Sequence, residues 1–222
     1  MNYGCKINLN YTRADRALVA QFRGIAVANI DDCMNRLAAL DASICPVNHA
    51  PLLGTAFTVR VPAGDNLMFH KAMDLAQPGD VIMIDAGGGM DRAILGELMT
   101  TYCKIRGLAG IVVDGCIRDR DELAQMDFPV YARGATPNGP YKNGPGEIGT
   151  VISVGGQVIH PGDIIVGDGD GVLAIRPDDA PALLEAAKAI VTKEAGIMRG
   201  IQEGKYPRPW VDEKLREIGC EF

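Results

Sequence analysis

The 222-residue chain has little of several things on which common functions depend. Aromatic residues make up 5% of it, with one Trp, and there are three histidines, at positions 49, 70 and 160. The six cysteines, at 5, 33, 45, 103, 116 and 220, include no CxxC pair. With so few histidines, no spacing is present that would build a zinc site, and a disulfide framework is equally unexpected. Cys103 and Cys116 sit among apolar neighbours and read as reduced core thiols. Nothing beside Cys116 would activate a thiolate. Cations are not in excess: 22 Lys and Arg face 28 Asp and Glu, a net charge of −6, and no window is densely basic. Nucleic acid is therefore not an expected partner, because binding a phosphate backbone requires clustered cations. No apolar run reaches the ~18 residues that would span a bilayer, and the opening MNYGCKINLNYTR has no apolar signal core. The expected location is cytoplasmic, with no membrane partner.

What is present suits a packed core: 47% hydrophobic and 23% charged residues, with a mean hydropathy of +0.06. The length predicts one domain, divided into N-terminal helices (1–50), an α/β core (51–177) and a C-terminal helix with a tail (178–222). Helical spacing covers Arg13 to Phe22 and Ile30 to Leu40, with Asp31 and Asp32 fitting the N-terminal end of the second helix. From Gly54, GTAFTVRV alternates like a strand, DNLMFHKAMDLA has helical spacing, and QPGD turns into the apolar strand VIMID. A helix from about Arg92 to Arg106 then leads to a second buried strand, IVVD, ending at Gly115. Two apolar strands joined by a helix imply a parallel βαβ unit. After Asp127, short strands and glycine turns predict antiparallel or mixed pairing, and a long helix begins near Asp178. The expected class is α/β, a mixed sheet with a βαβ unit and flanking terminal helices. The C-terminal helix either docks on a neighbouring subunit or folds back on its own domain.

Three glycine-rich features have ordinary readings. Gly87 to Gly89 match neither GxGxxG nor GxxxxGK[ST], so they predict a tight strand-to-helix passage rather than a nucleotide loop. GDGDG at 167–171 lacks the remaining ligands of a calcium loop and reads as a turn between strands. His160, before Pro161, Gly162 and Asp163, reads as part of a similar turn, and His70 as a helix residue with a minor claim on a site. GELM at 96–99 and DGCIRDRDEL at 114–123 point to chemistry. Arg118 and Asp119 directly follow a parallel strand, and ligands of open α/β sheets bind just beyond such strand ends. There Arg118 could clamp a carboxylate and Asp119 hold a divalent cation; helix capping is the plainer reading of the pair.

GELM, a helix, RGLAGIVVDG and then RD resemble the metal-dependent 4-hydroxy-4-methyl-2-oxoglutarate aldolases and their relatives, including the regulator of ribonuclease E activity A. The resemblance extends through GTAFTV at 54–59, GDNL at 64–67, QPGDV at 77–81 and GDGDGV at 167–172. It implies the RraA-like fold, with swivelling β/β/α layers. It also implies an acidic residue, here Glu97, with twenty residues between it and Arg118; the family usually has Asp at that place. The loop of Gly96, Glu97, Leu98 and Met99 then resembles a pyruvate-binding loop whose amides meet a carboxylate. Arg118 resembles the arginine on the substrate oxygens, and Asp119 the direct ligand of Mg²⁺ or Mn²⁺. Glu194, in KEAGIMRG, corresponds to a glutamate acting through water from a neighbouring subunit, which implies a homotrimer or homohexamer.

The implied reaction is retro-aldol cleavage of a 4-hydroxy-2-oxo acid to pyruvate and a second oxo acid, with oxaloacetate decarboxylation as a side activity. Arg118, Glu97 and Asp119 would be its catalytic residues. Lysine Schiff-base chemistry is the rival route, but neither Lys71 nor Lys104 lies in an apolar stretch that would lower its pKa. The regulator branch implies the alternative, a non-catalytic protein that binds a ribonuclease or other protein. Within the resemblance, Glu97 before the Arg-Asp pair favours the enzyme.

Overall fold

The computed structural model describes residues 4–222. The N-terminal region contributes two sheet edges as well as helices. Strand β1 (Cys5–Ile7) precedes helix α1 (Arg16–Ala20), helix α2 (Val27–Cys33) and strand β2 (Cys45–Pro46). Both helices differ from the spacing-based expectation. Asp15 caps α1, accepting from the amides of Ala17 and Leu18, and the helix closes within two turns. The second helix starts three residues before Ile30 and stops at Cys33, because Asn35 and Arg36 adopt left-handed backbone (φ 58° and 61°). Asp31 therefore lies in the last turn, not the first, and accepts from the Ala38 amide. The start of α2 is capped from afar, by Asp168 Oδ2 accepting from Val27 N–H at 2.9 Å.

The centre is built by β3 (Leu52–Arg60), α3 (Leu67–Leu75), β4 (Asp80–Leu95), α4 (Glu97–Ile105), β5 (Gly110–Ile117), α5 (Arg120–Ala124) and β6 (Val130–Ala135). β3, β4, β5 and β6 are parallel in that order, each pair joined by a helical crossover. The triple glycine does not end β4. Gly87 and Gly88 take positive φ, and the strand continues through three register shifts, with Gly89 opposite Gly115 and Ala93 opposite Cys116. Glycine lets the strand bulge without losing its partner, so α4 begins at Glu97 and not near Arg92.

The remaining strands are β7 (Gly146–Ile148), β8 (Ile152–Val154), β9 (Gln157–Ile159), β10 (Ile164–Asp168) and β11 (Gly171–Ile175). They complete the nine-stranded mixed sheet and add a separate hairpin, β8–β9. GDGDG is the expected turn, joining β10 to β11. One face of β3, β4 and β5 packs Phe57, Ile82, Ile84 and Val113 against Phe69 and Met73 of α3, Cys103 of α4 and Leu123 of α5. The other face packs Ala56, Val81, Met83 and Val112 against Ile152, Val154 and Ile159 of the hairpin. The result is hairpin, sheet and helices in three layers. Each large side chain fully buried there contributes about 1.5–3 kcal/mol. Burial pushes the Cys103 thiol up to about 12 and also raises that of Cys116, as expected of core thiols.

Helix α6 (Ala180–Gln202) folds its first half back on its own chain, where Leu183, Leu184 and Ala187 pack with α2, β10 and β11. Its second half buries nothing, and Val191, Met198 and Ile201 are exposed. The tail forms α7 (Pro209–Glu217), also without a buried residue.

Candidate active site

The carboxyl ends of β4 and β5 lie side by side, Leu95 opposite Ile117, so the starts of α4 and α5 are brought together. Arg118 N–H donates to the Leu95 carbonyl at 3.0 Å. Asp119 then turns left-handed (φ 55°) and begins α5. Its Oδ2 accepts from Glu97 N–H at 2.9 Å and stands 3.7 Å from Arg118 Nε. Gly96 is a glycine for lack of space: a Cβ there would collide with the Asp119 carboxylate and lie 2.9 Å from Arg118 Cγ.

A strap formed by residues 138–144 crosses this strand end. On one side, Ala93 N–H donates to the Asn138 carbonyl, and Arg92 donates to the Gly139 carbonyl and to the Tyr141 hydroxyl while lying 4.0 Å over its ring. On the other side the buried Asp65 accepts from Asn143 N–H (2.6 Å) and Gly144 N–H (3.1 Å). Tyr141 and Asn66 complete the seam, Tyr141 N–H to Gly64 O and Asn66 N–H to Tyr141 O. The strap thus brings Lys142 to a cavity of about 310 Å³ whose other polar walls are Arg118, Asp119, Asn66 and His70.

Two of those walls hold buried atoms without partners. Asn66 is 1% exposed; its Nδ2 donates to the Ile94 carbonyl and to Met99 Sδ, but its Oδ1 accepts nothing. His70 Nε2 is likewise buried and unpaired. Burial, then the charge of Lys142, lower the His70 pKa against an opposing pull from Asp74. Buried polar atoms are almost always paired, and an exception calls for a reason such as strain, a catalytic role, a water or an ion.

The cavity gathers Gly96, Leu98, Met99, Arg118 and Asp119 of the residues singled out in the sequence, with Leu98 on its exposed rim. Glu97 is exposed beside it; its amide donates to Asp119, and its carboxylate makes no hydrogen bond with the described residues. Glu194 lies elsewhere on this chain, on α6, accepting from Asn29 Nδ2 at 2.9 Å. Sequence reasoning missed Asn66 and Lys142 and undervalued His70. The available signals were the polar GDN run before a helix and the glycine-bounded NGPYKNG. Among the described residues no three His, Cys, Asp or Glu side chains gather to hold a metal. A cation here would rest on Asp119, whose Oδ1 accepts no hydrogen bond from the described residues; Asn66, whose buried Oδ1 is unpaired, lines the same cavity. Oxygen donors, few from the protein and the rest from substrate and water, suit Mg²⁺ or Mn²⁺ and not zinc.

Residues 27–174 match the family model described as RraA-like, Aldolase/RraA. The chain belongs to the RraA-like family. The matched span of this RraA-like chain includes every residue of the cavity and excludes Glu194. A relative in Halalkalibacterium halodurans, named "Putative 4-hydroxy-4-methyl-2-oxoglutarate aldolase", is 43% identical over 193 residues, 86% of this chain and 92% of that protein. An uncharacterized protein of Methanocaldococcus jannaschii is 34% identical over 71% of this chain and 76% of its own length. Among solved structures, the RNA-processing inhibitor RraA from Thermus thermophilis superposes with a TM-score of 0.62 at 29% identity, covering 68% of this chain and 92% of that one. The three layers are those of the RraA-like fold. No described helix is long and apolar enough to cross a membrane.

Proposed function

We propose that this chain is a divalent-metal-dependent carbon–carbon lyase: a class II aldolase that cleaves 4-hydroxy-2-oxo acids of the 4-hydroxy-4-methyl-2-oxoglutarate type to pyruvate and a second oxo acid, with oxaloacetate decarboxylation as a side activity. The observation that carries the reading is the charge arrangement in one cavity. Arg118 and Lys142 offer two cations to a substrate with a carboxylate at each end, and Asp119 keeps one oxygen free beside them. Asp119 would hold the Mg²⁺ or Mn²⁺ ion, which would supply Lewis acidity toward the 2-oxo group. Arg118 adds positive charge where the ketone oxygen becomes negative. Glu97 N–H is taken by Asp119, so the next amides of the α4 first turn, Leu98 and Met99, remain for the substrate carboxylate. Asn66 Oδ1 accepts from a substrate hydroxyl or from water, and Lys142 neutralises the far carboxylate. Glu97, and Glu194 from a neighbouring copy in a homotrimer or homohexamer, hold the water that takes the proton from the 4-hydroxyl. The reaction is cytoplasmic and involves neither nucleic acid nor membrane.

The test is pyruvate release, coupled to lactate dehydrogenase, by metal-stripped protein given 4-hydroxy-4-methyl-2-oxoglutarate or oxaloacetate, with and without Mg²⁺ or Mn²⁺. Metal-dependent pyruvate from the aldol substrate supports the aldolase, and from oxaloacetate alone narrows it to a decarboxylase. Silence on both favours a second reading, a non-catalytic regulator of a ribonuclease or other protein, for which the likeness to the Thermus inhibitor speaks.

A further inference from the structure

A second cavity, of about 320 Å³, opens at the opposite end of the same strands, between α1 and the beginnings of β3 and β4. Three arginines line it, Arg13, Arg16 and Arg23, in a chain whose net charge is −6. Only one of them is neutralised. Asp80, 1% exposed, accepts Arg13 Nε (2.8 Å) and Thr55 Oγ1 (2.9 Å) on Oδ1, and Arg13 Nη2 and Gln77 N–H (both 2.8 Å) on Oδ2. With both oxygens doubly engaged, Asp80 has no acceptor left for the other two. Arg16 is anchored by one bond, Nη2 to the Pro78 carbonyl at 2.9 Å, which leaves most of its donor fork unused. The Arg23 guanidinium makes no hydrogen bond or ion pair with the described residues.

We infer that this cavity is a binding site for a small dianionic oxyanion, a phosphate group or a dicarboxylate, held by Arg16 and Arg23 over the fixed Arg13–Asp80 pair. Two uncompensated guanidiniums match two negative charges, and a guanidinium fork binds carboxylate and phosphate oxygens in pairs. The neighbouring Val19 and Leu53 give a short carbon stem an apolar wall. The site shares no residue with the cavity at Arg118, so it stands whether or not the lyase reading does.

Calorimetric titration of the whole protein at constant ionic strength tests it, with inorganic phosphate in one arm and succinate in the other. In Arg118→Ala, where the cavity proposed for the dicarboxylate substrate is disabled, one site per chain is expected for at least one probe, and the tighter probe identifies the class. Affinity at that site should fall at least about 10-fold when Arg16→Gln or Arg23→Gln is added, as loss of a charge-assisted bond implies. Both arginines are exposed, and circular dichroism verifies that the variants fold. No saturable binding of either probe overturns the proposal. So does binding that survives in both arginine variants or disappears in Arg118→Ala, because the anion then sits elsewhere.

Discussion

At the amino end of the parallel strands, Asp80 is buried with four hydrogen bonds on its two oxygens, tying Arg13, in the segment before α1, to β3 and β4. At the carboxyl end, Asp119 is partly exposed, holds one amide, and leaves an oxygen open, while Asn66 and His70 keep unpaired buried atoms beside it. The two aspartates flank the same parallel strands, Asp80 as the first residue of β4 and Asp119 two residues beyond the end of β5, but do not share a task. A carboxylate whose lone pairs are all engaged stabilises the fold; one left incomplete among other incomplete groups is available to a ligand.

The contrast can be broken in both directions. The largest effect is expected at Arg118→Ala and Asp119→Ala, where pyruvate release should fall roughly a thousandfold with thermal melting little changed; near-normal turnover would remove the site from this end. Asp80→Ala should do the opposite. It strands a partly buried guanidinium, costing about 3 kcal/mol in urea unfolding, while the KM of the folded enzyme stays near wild type. Asp65→Asn is intermediate, because it loosens the strap without touching substrate. Faster amide exchange at Asn143 and Gly144 and a KM rise of about 10-fold, the loss of a charge-assisted bond, are the readouts.

The smallest effect concerns pH. His70 has a folded pKa below its ordinary value, so the unfolded chain takes up its proton first. Stability is therefore lost as pH falls from the ordinary histidine range through the lowered folded value. Urea midpoints measured across that interval should flatten in His70→Asn.

The Arg118–Asp119 pair was legible because adjacency and a preceding apolar run survive in one dimension. Asn66 and Lys142 were not, since they meet only through the strap, and the strap is made by backbone bonds to Gly64, Asp65 and Asn66. The boundaries of α2 were misread for a similar reason, its cap being Asp168 from the far end of the chain. Gly87 to Gly89 failed differently: glycine permits a turn and a bulge alike, and only the continued pairing with β5 decides between them. The layered α/β class was readable because strands buried on both faces are apolar throughout.

The strap also bears on folding. The walls of the cavity at Arg118 come from segments around residues 66, 96, 118 and 142, and none of them can form it from local contacts. Closing it needs β4 and β5 paired and the chain beyond β6 returned to Asp65, a set of long loops whose entropy must be overcome first. In refolding, substrate binding should return with the slowest phase, after most helix signal has been regained, making turnover a late and global reporter of the native topology.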